Sequence, residues 1–232
     1  MFKKKVIKET TQAVSLITLA DRTSPVSEQY RTIRTNIQFA MVDKELKTLI
    51  VTSSGPGEGK STTSANLAVV FANSGIRTLL VDADLRKPTV AKSFGLRNHH
   101  GLSNLLSERE SKIHNVVQSS GIENLTILSS GPKPPNPSEM LGSMRMHTVI
   151  KEMRQEFDLV IFDMPPVVAV TDAQVVASQV DGTIMVVREG VSNKNALIKA
   201  KSLLEMVNAN MLGVVYNGST RNVDQGYYYY GA

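Results

Sequence analysis

Ser54-Gly55-Pro56-Gly57-Glu58-Gly59-Lys60-Ser61-Thr62 is the stretch on which the reading of this chain turns. The apolar run Leu49–Val51 leads into it, and a helical pattern over Ser61–Ser74 leads out. Strand, glycine turn, Lys-Ser and helix form the context in which such a loop binds phosphate. The glycines permit positive φ and carry no side chains, so successive backbone N–H groups can close around an anion. The helix adds the partial positive charge of its N-terminus. Lys60 is expected to neutralise the β- and γ-phosphates of a nucleotide, and the Ser61 hydroxyl to ligate Mg²⁺. Ser54 stands where the pattern has its first glycine, which leaves the backbone cradle intact. The nucleotide contacts are therefore expected from Ser54, Gly55, Pro56, Gly57, Glu58, Gly59, Lys60, Ser61 and Thr62. An ordinary glycine turn before a helix would not require Lys60-Ser61.

Outward from the loop, further apolar, β-branched runs occur at Thr78–Val81, Leu125–Leu128, Leu159–Phe162, Thr183–Val187 and Leu212–Val215. Helical patterns fall between them at His147–Phe157, Asp172–Ser178 and Asn193–Val207. Buried strands alternating with helices predict a doubly wound α/β fold, with a mostly parallel sheet covered on both faces. Two of the runs end in acid: Leu80-Val81-Asp82-Ala83-Asp84 and Ile161-Phe162-Asp163. In such sheets the ligand crevice lies beyond the carboxyl ends of the strands, so Asp82, Asp84 and Asp163 should converge on the mouth of the loop. A single acid at a strand end is commonly a helix cap; three beside a Lys-Ser loop point to a metal–phosphate site. Gly131–Pro137 contains four prolines and is read as a rigid extended loop.

The 232 residues, 41% hydrophobic and 20% charged, suit one large globular domain with appendages. The absence of cysteine excludes disulfides, thiolate metal sites and a cysteine nucleophile. His99, His100, His114 and His147 show no metal-ligand or triad spacing. No apolar run reaches the roughly 18–20 residues of a membrane span. The basic start Lys3-Lys4-Lys5 precedes only the short, broken stretch Ala13–Ala20, and the expected location is cytoplasmic. Net charge is +5, and residues 1–40 hold seven basic and three acidic side chains, an arm suited to an anionic surface or to plain solvation. Tyr30, Ile33, Ile37 and Ala40 recur at helical spacing after the start signal Ser24-Pro25, with Glu28, Arg31 and Arg34 on an adjacent stripe. The chain thus divides into residues 1–45 (arm and helix), 46–218 (nucleotide-binding core) and 219–232 (a low-complexity tail).

Together, Gly55–Thr62, Asp82-x-Asp84-x-Arg86 and Asp163-x-Pro165-Pro166 resemble the Walker A, A′ and B motifs of bacterial protein-tyrosine kinases. These are P-loop proteins of capsule and exopolysaccharide production, unrelated to eukaryotic kinases. Glu28-x-x-Arg31-x-x-Arg34 resembles that family's subunit-contact motif, although an intrahelical ion pair would explain it as well. Tyr227, Tyr228, Tyr229 and Tyr230 resemble its autophosphorylated cluster. The same core is similar to partitioning and division-site ATPases, which bind DNA or membrane and carry a lysine where this chain has Gly55.

The resemblance implies ATP and Mg²⁺ as cofactors, with Ser61, Asp84 and Asp163 on the metal. It implies Lys60, Asp82, Asp84 and Asp163 as catalytic residues and Asn217 as an adenine contact. Asp82 is the expected base for the tyrosine hydroxyl, with an exchange of roles between Asp82 and Asp84 left open. The implied partners are other copies in a ring-like homo-oligomer, a membrane activator with a cytoplasmic tail, a protein-tyrosine phosphatase and protein substrates of polysaccharide synthesis. No specific nucleic acid is expected. Such an activator would recruit the chain to the inner face of the membrane.

Overall fold

The computed structural model describes residues 13–41, 45–108 and 110–219; the tyrosine cluster and the first lysines lie outside them. Seven strands form one sheet: β1 (Thr48–Ser53), β2 (Thr78–Asp82), β3 (Val117–Ser119), β4 (Leu125–Leu128), β5 (Leu159–Asp163), β6 (Gly182–Arg188) and β7 (Met211–Asn217). Their order is β3-β4-β2-β5-β1-β6-β7. Every neighbouring pair is parallel except β3–β4. The six apolar runs named from sequence are six of these strands. β3, three residues long and only partly buried, lacks the apolar run that would have revealed it.

Strands β1, β2 and β5 are buried along their whole length, as their unbroken apolar runs require. Alternate side chains feed two cores. On one face Leu49, Val51, Leu80 and Ile161 pack with the Lys60–Ala72 and Pro25–Phe39 helices. On the other, Ile50, Val81, Val160 and Phe162 pack with the Met144–Glu156, Asp172–Ala177 and Lys194–Met206 helices. The Lys60–Ala72 helix is buried from Thr63 to Ala72, which explains why it is apolar around most of its circumference.

The Pro25–Phe39 helix starts as its sequence specifies. Ser24 is the N-cap, its hydroxyl accepting from Ser27 N at 3.2 Å, and Pro25 fills the first turn. This helix is part of the packed core, since Tyr30 and Ile37 are buried beside Leu67 and Phe71. Upstream, the Thr18 amide and hydroxyl both donate to Asn66 Oδ1, at 3.0 and 2.8 Å, and Asn66 Nδ2 donates to Ser15 O at 2.8 Å. Residues 15–18 thereby satisfy a fully buried amide of the core. The proline loop is corrected in one respect. Pro137 opens a short helix, Pro137–Leu141, because proline is tolerated in a first turn where its missing N–H is not needed.

Candidate active site

The phosphate loop leaves β1 at Ser53 and enters the Lys60–Ala72 helix through Gly59. Gly57 and Gly59 have φ of +76° and +96°, the left-handed region that favours glycine. At Gly59 there is also no room, because a Cβ built there would lie 2.1 Å from Asn217 Nδ2. Gly59→Ala combines left-handed strain of about 1–3 kcal/mol with that clash. Calorimetric titration with ADP and Mg²⁺ is expected to show affinity at least about tenfold weaker, with the circular dichroism spectrum unchanged.

Glu58 is buried, and its carboxylate accepts from the Ser54 amide at 2.9 Å and the Ser54 hydroxyl at 2.7 Å. The non-glycine first position therefore has a use: its hydroxyl helps satisfy a buried carboxylate under the loop.

At the loop's exit, Lys60 Nζ lies 2.9 Å from Asp84 Oδ2 and 3.6 Å from Asp163 Oδ1, and donates to Ser61 Oγ at 3.2 Å. Burial alone would depress the Lys60 pKa, but the Asp163 and Asp84 carboxylates outweigh it and hold the ammonium above its usual value. Asp82 and Asp163 are register partners at the ends of adjacent strands, both fully buried. Burial, reinforced by the Asp163 charge, pushes the Asp82 carboxyl up to about 8. Burial also raises Asp163, against the pull of Lys60.

Backbone amides orient Asp82 and Asp84, and a serine hydroxyl orients Asp163. Asp82 Oδ2 accepts from the Thr89 and Val90 amides at 3.0 and 2.9 Å. Asp84 Oδ1 accepts from Arg86 N at 3.3 Å and Lys87 N at 2.9 Å. Asp163 Oδ1 accepts from Ser64 Oγ at 3.2 Å. Among the described residues, Asp82 Oδ1 and Asp163 Oδ2 are buried without a hydrogen-bond partner. The three acids named from sequence do gather around Lys60. Still, among the described residues no group of three His, Cys, Asp or Glu is arranged to hold a metal by itself.

Arg86, seen in sequence only as part of a motif, makes a two-pronged pair with fully buried Asp172: Nε to Oδ2 at 2.9 Å and Nη2 to Oδ1 at 3.0 Å. Ser138 Oγ bonds both residues. Sequence reading missed Asp172 and Ser138, and also Arg188, whose Nη1 donates to Gly57 O at 3.0 Å. Only Arg188 carried a sequence signal, its place at the carboxyl end of a parallel strand; Asp172 and Ser138 lie in short helices further along the chain. Asn217 Nδ2 donates to Glu58 O at 3.1 Å. On the Pro25–Phe39 helix, Arg31 pairs with Glu28 within the same helix and with Arg22 O, while Arg34 Nη1 reaches Val70 O at 3.4 Å.

Residues 45–227 match the ParA family, described as NUBPL iron-transfer P-loop NTPase. The chain is 46% identical to tyrosine-protein kinase YwqD of Bacillus subtilis, over 94% of this chain and 91% of that protein. The chain belongs to the bacterial protein-tyrosine kinase family. It is also 40% identical to the putative tyrosine-protein kinase CapB of Staphylococcus aureus, over 89% of this chain and 90% of that protein. Among solved structures, the kinase domain of Escherichia coli tyrosine kinase ETK superposes with a TM-score of 0.85 at 32% identity, covering 95% of this chain and 86% of that one. The division-site protein MinD of Pyrococcus horikoshii, at 22% identity and a TM-score of 0.64 over 77% of this chain and 72% of that one, shares the fold. Membership of this kinase family implies nucleotide use with a divalent metal. Among the described residues, no helix of the kinase is long and apolar enough to cross a membrane.

Proposed function

We propose that this kinase transfers the γ-phosphoryl group of ATP to tyrosine hydroxyls, first among them Tyr227, Tyr228, Tyr229 and Tyr230 of another copy, and so regulates capsular or exopolysaccharide synthesis. The observation that carries the reading is the Lys60 ammonium, set between Asp84 and Asp163 at the exit of the phosphate loop, with buried Asp82 alongside. Lys60 and the loop amides bind and orient the phosphates. Ser61, Asp84 and Asp163 are the oxygen donors that would hold Mg²⁺, which when bound offsets charge on the phosphates.

A tyrosine hydroxyl has a pKa of about 10, so the acceptor needs help in losing its proton. Asp82 suits that task because its environment raises its proton affinity toward the working pH. The phenol oxygen bonds to the γ-phosphorus, the bond to the departing ADP oxygen breaks, and the phenol proton passes to Asp82.

Transfer between copies calls for an assembly. Glu28, Arg31 and Arg34 are assigned to subunit contact by the family motif, and the ring-like arrangement would present one copy's tail to the next. A phosphotyrosine adds about −1.5 to −2, so four overwhelm the chain's +5. A tail so charged is repelled by the acidic site, and full phosphorylation loosens the assembly. The solved relative CapA2B2, a chimera at 41% identity, supports a second component, here a membrane activator that recruits the kinase to the inner face. A phosphatase would reset the tail.

Mass spectrometry of the C-terminal peptide after incubation with Mg²⁺ and ATP tests the reading. Up to four phosphates are expected on Tyr227–Tyr230. Replacing all four with Phe should cut self-incorporation at least about tenfold while ATP binding is retained. ATP hydrolysis with an unmodified peptide would instead indicate a positioning-type ATPase.

A further inference from the structure

We propose that Asn217, together with Arg188, is a positioning residue that pre-forms the phosphate loop, holding its carbonyls outward so that its amides face the phosphates. This rests on the reading above that a nucleotide triphosphate occupies the loop.

Arg188 and Asn217 end the adjacent parallel strands β6 and β7 and are register partners. Their side chains donate to consecutive carbonyls of the loop: Arg188 Nη1 to Gly57 O at 3.0 Å and Asn217 Nδ2 to Glu58 O at 3.1 Å. In a trans peptide the C=O and the following N–H point in opposite directions. Drawing the Gly57 and Glu58 carbonyls toward the strand ends therefore turns the amides of Glu58 and Gly59 away from them, toward the cradle. The braces are themselves anchored, since Glu189 N donates to Asn217 O at 3.0 Å and Arg188 N to Ser192 Oγ at 2.8 Å. The Asn217 amide also occupies the space that any side chain at position 59 would need, 2.1 Å from a built Cβ. Loop and brace are thus matched residue to residue. Peptide dipoles held in place before the anion arrives need no reorganisation on binding.

A brace and an adenine contact make different demands on the ligand. A brace matters to any polyphosphate; a base contact matters only to one carrying the right base. The test is calorimetric titration of the full chain with Mg²⁺ and, separately, ATP, GTP and tripolyphosphate, for the native protein, Asn217→Ala, Asn217→Asp, Arg188→Ala and the Asn217→Ala/Arg188→Ala double variant. Asn217→Ala should weaken all three ligands by a common factor of about 5–20, leaving the ATP-to-GTP ratio unchanged. Asn217→Asp should be worse still, because a carboxylate both lacks the N–H and sets its negative charge against the Glu58 carbonyl. The Asn217→Ala/Arg188→Ala double variant should lose less than the product of the single losses, because both braces serve one loop. Tripolyphosphate affinity within about twofold of native in Asn217→Ala, with ATP affinity reduced, would overturn the assignment in favour of a base contact. Losses that simply multiply would also overturn it. Native protein that binds none of the three ligands would instead bring down the underlying nucleotide reading.

Discussion

Lys60→Met is expected to reduce tyrosine phosphorylation by at least about 10³-fold, measured by incorporation from radiolabelled ATP. Methionine keeps much of the aliphatic length of lysine but removes the one charge that faces both phosphate and carboxylates. Lys60 is only 13% exposed at its side chain, and its ammonium touches Asp84 and Asp163. Its charge therefore acts where water screens little. Mixing the variant with native kinase adds a second readout. Label appearing on the inactive chain's tail would show transfer between copies; label confined to the native chain would contradict it.

The same substitution should also change how stability depends on pH. Without Lys60, the fully buried Asp82 and Asp163 lose a neighbouring cation, and their folded-state proton affinities rise further above the ordinary carboxylate value. A raised folded pKa stabilises below the unfolded pKa, and that contribution is lost as pH rises through the folded one. For Asp82 the window runs from its ordinary 3.8 to about 8. Nucleotide-free Lys60→Met should accordingly melt well below the native protein at pH 8 and close to it at pH 5. An equal offset at both pH values would mean that the carboxylates are solvated in the variant.

The parallel sheet was legible because buried strands read as unbroken apolar runs, and Leu49–Val51, Thr78–Val81 and Leu159–Phe162 are such runs. The loop was legible because its chemistry depends on a short local order of residues. What escaped depends on contacts between distant segments. Asp172, read from sequence, is an acid at the start of a helix; only the fold brings Arg86 to it across 86 positions. Arg188 looks like a surface cation until β6 is placed next to β1. Ser54 seemed a small departure from a pattern until its hydroxyl was found on the Glu58 carboxylate. The helix bearing Glu28, Arg31 and Arg34 was legible from its cap and apolar stripe. Its burial of Tyr30 and Ile37 on the shared core was not, since an amphipathic stripe does not name what it packs against.

Asp82→Asn should separate stability from activity. The native carboxyl is fully exposed to its neighbours' charge and to none of the solvent: it is 0% accessible, and its Oδ1 lacks a hydrogen-bond partner among the described residues. An asparagine oxygen can still accept from the Thr89 and Val90 amides, while the carboxylate charge that Asp163 opposes is gone. The nucleotide-free protein should gain about 1–3 kcal/mol at pH 8, and the decline in its melting temperature between pH 4 and 8 should flatten. Phosphoryl transfer should nevertheless fall about 10²–10⁴-fold, because an amide cannot accept the phenol proton. Asp84→Asn provides the contrast. It removes the carboxylate nearest Lys60, so it should lower stability and raise the Mg²⁺ concentration needed for half-maximal rate. If Asp82→Asn, not Asp84→Asn, raises the Mg²⁺ requirement, the two acids exchange roles: Asp82 then holds the metal and Asp84 takes the proton.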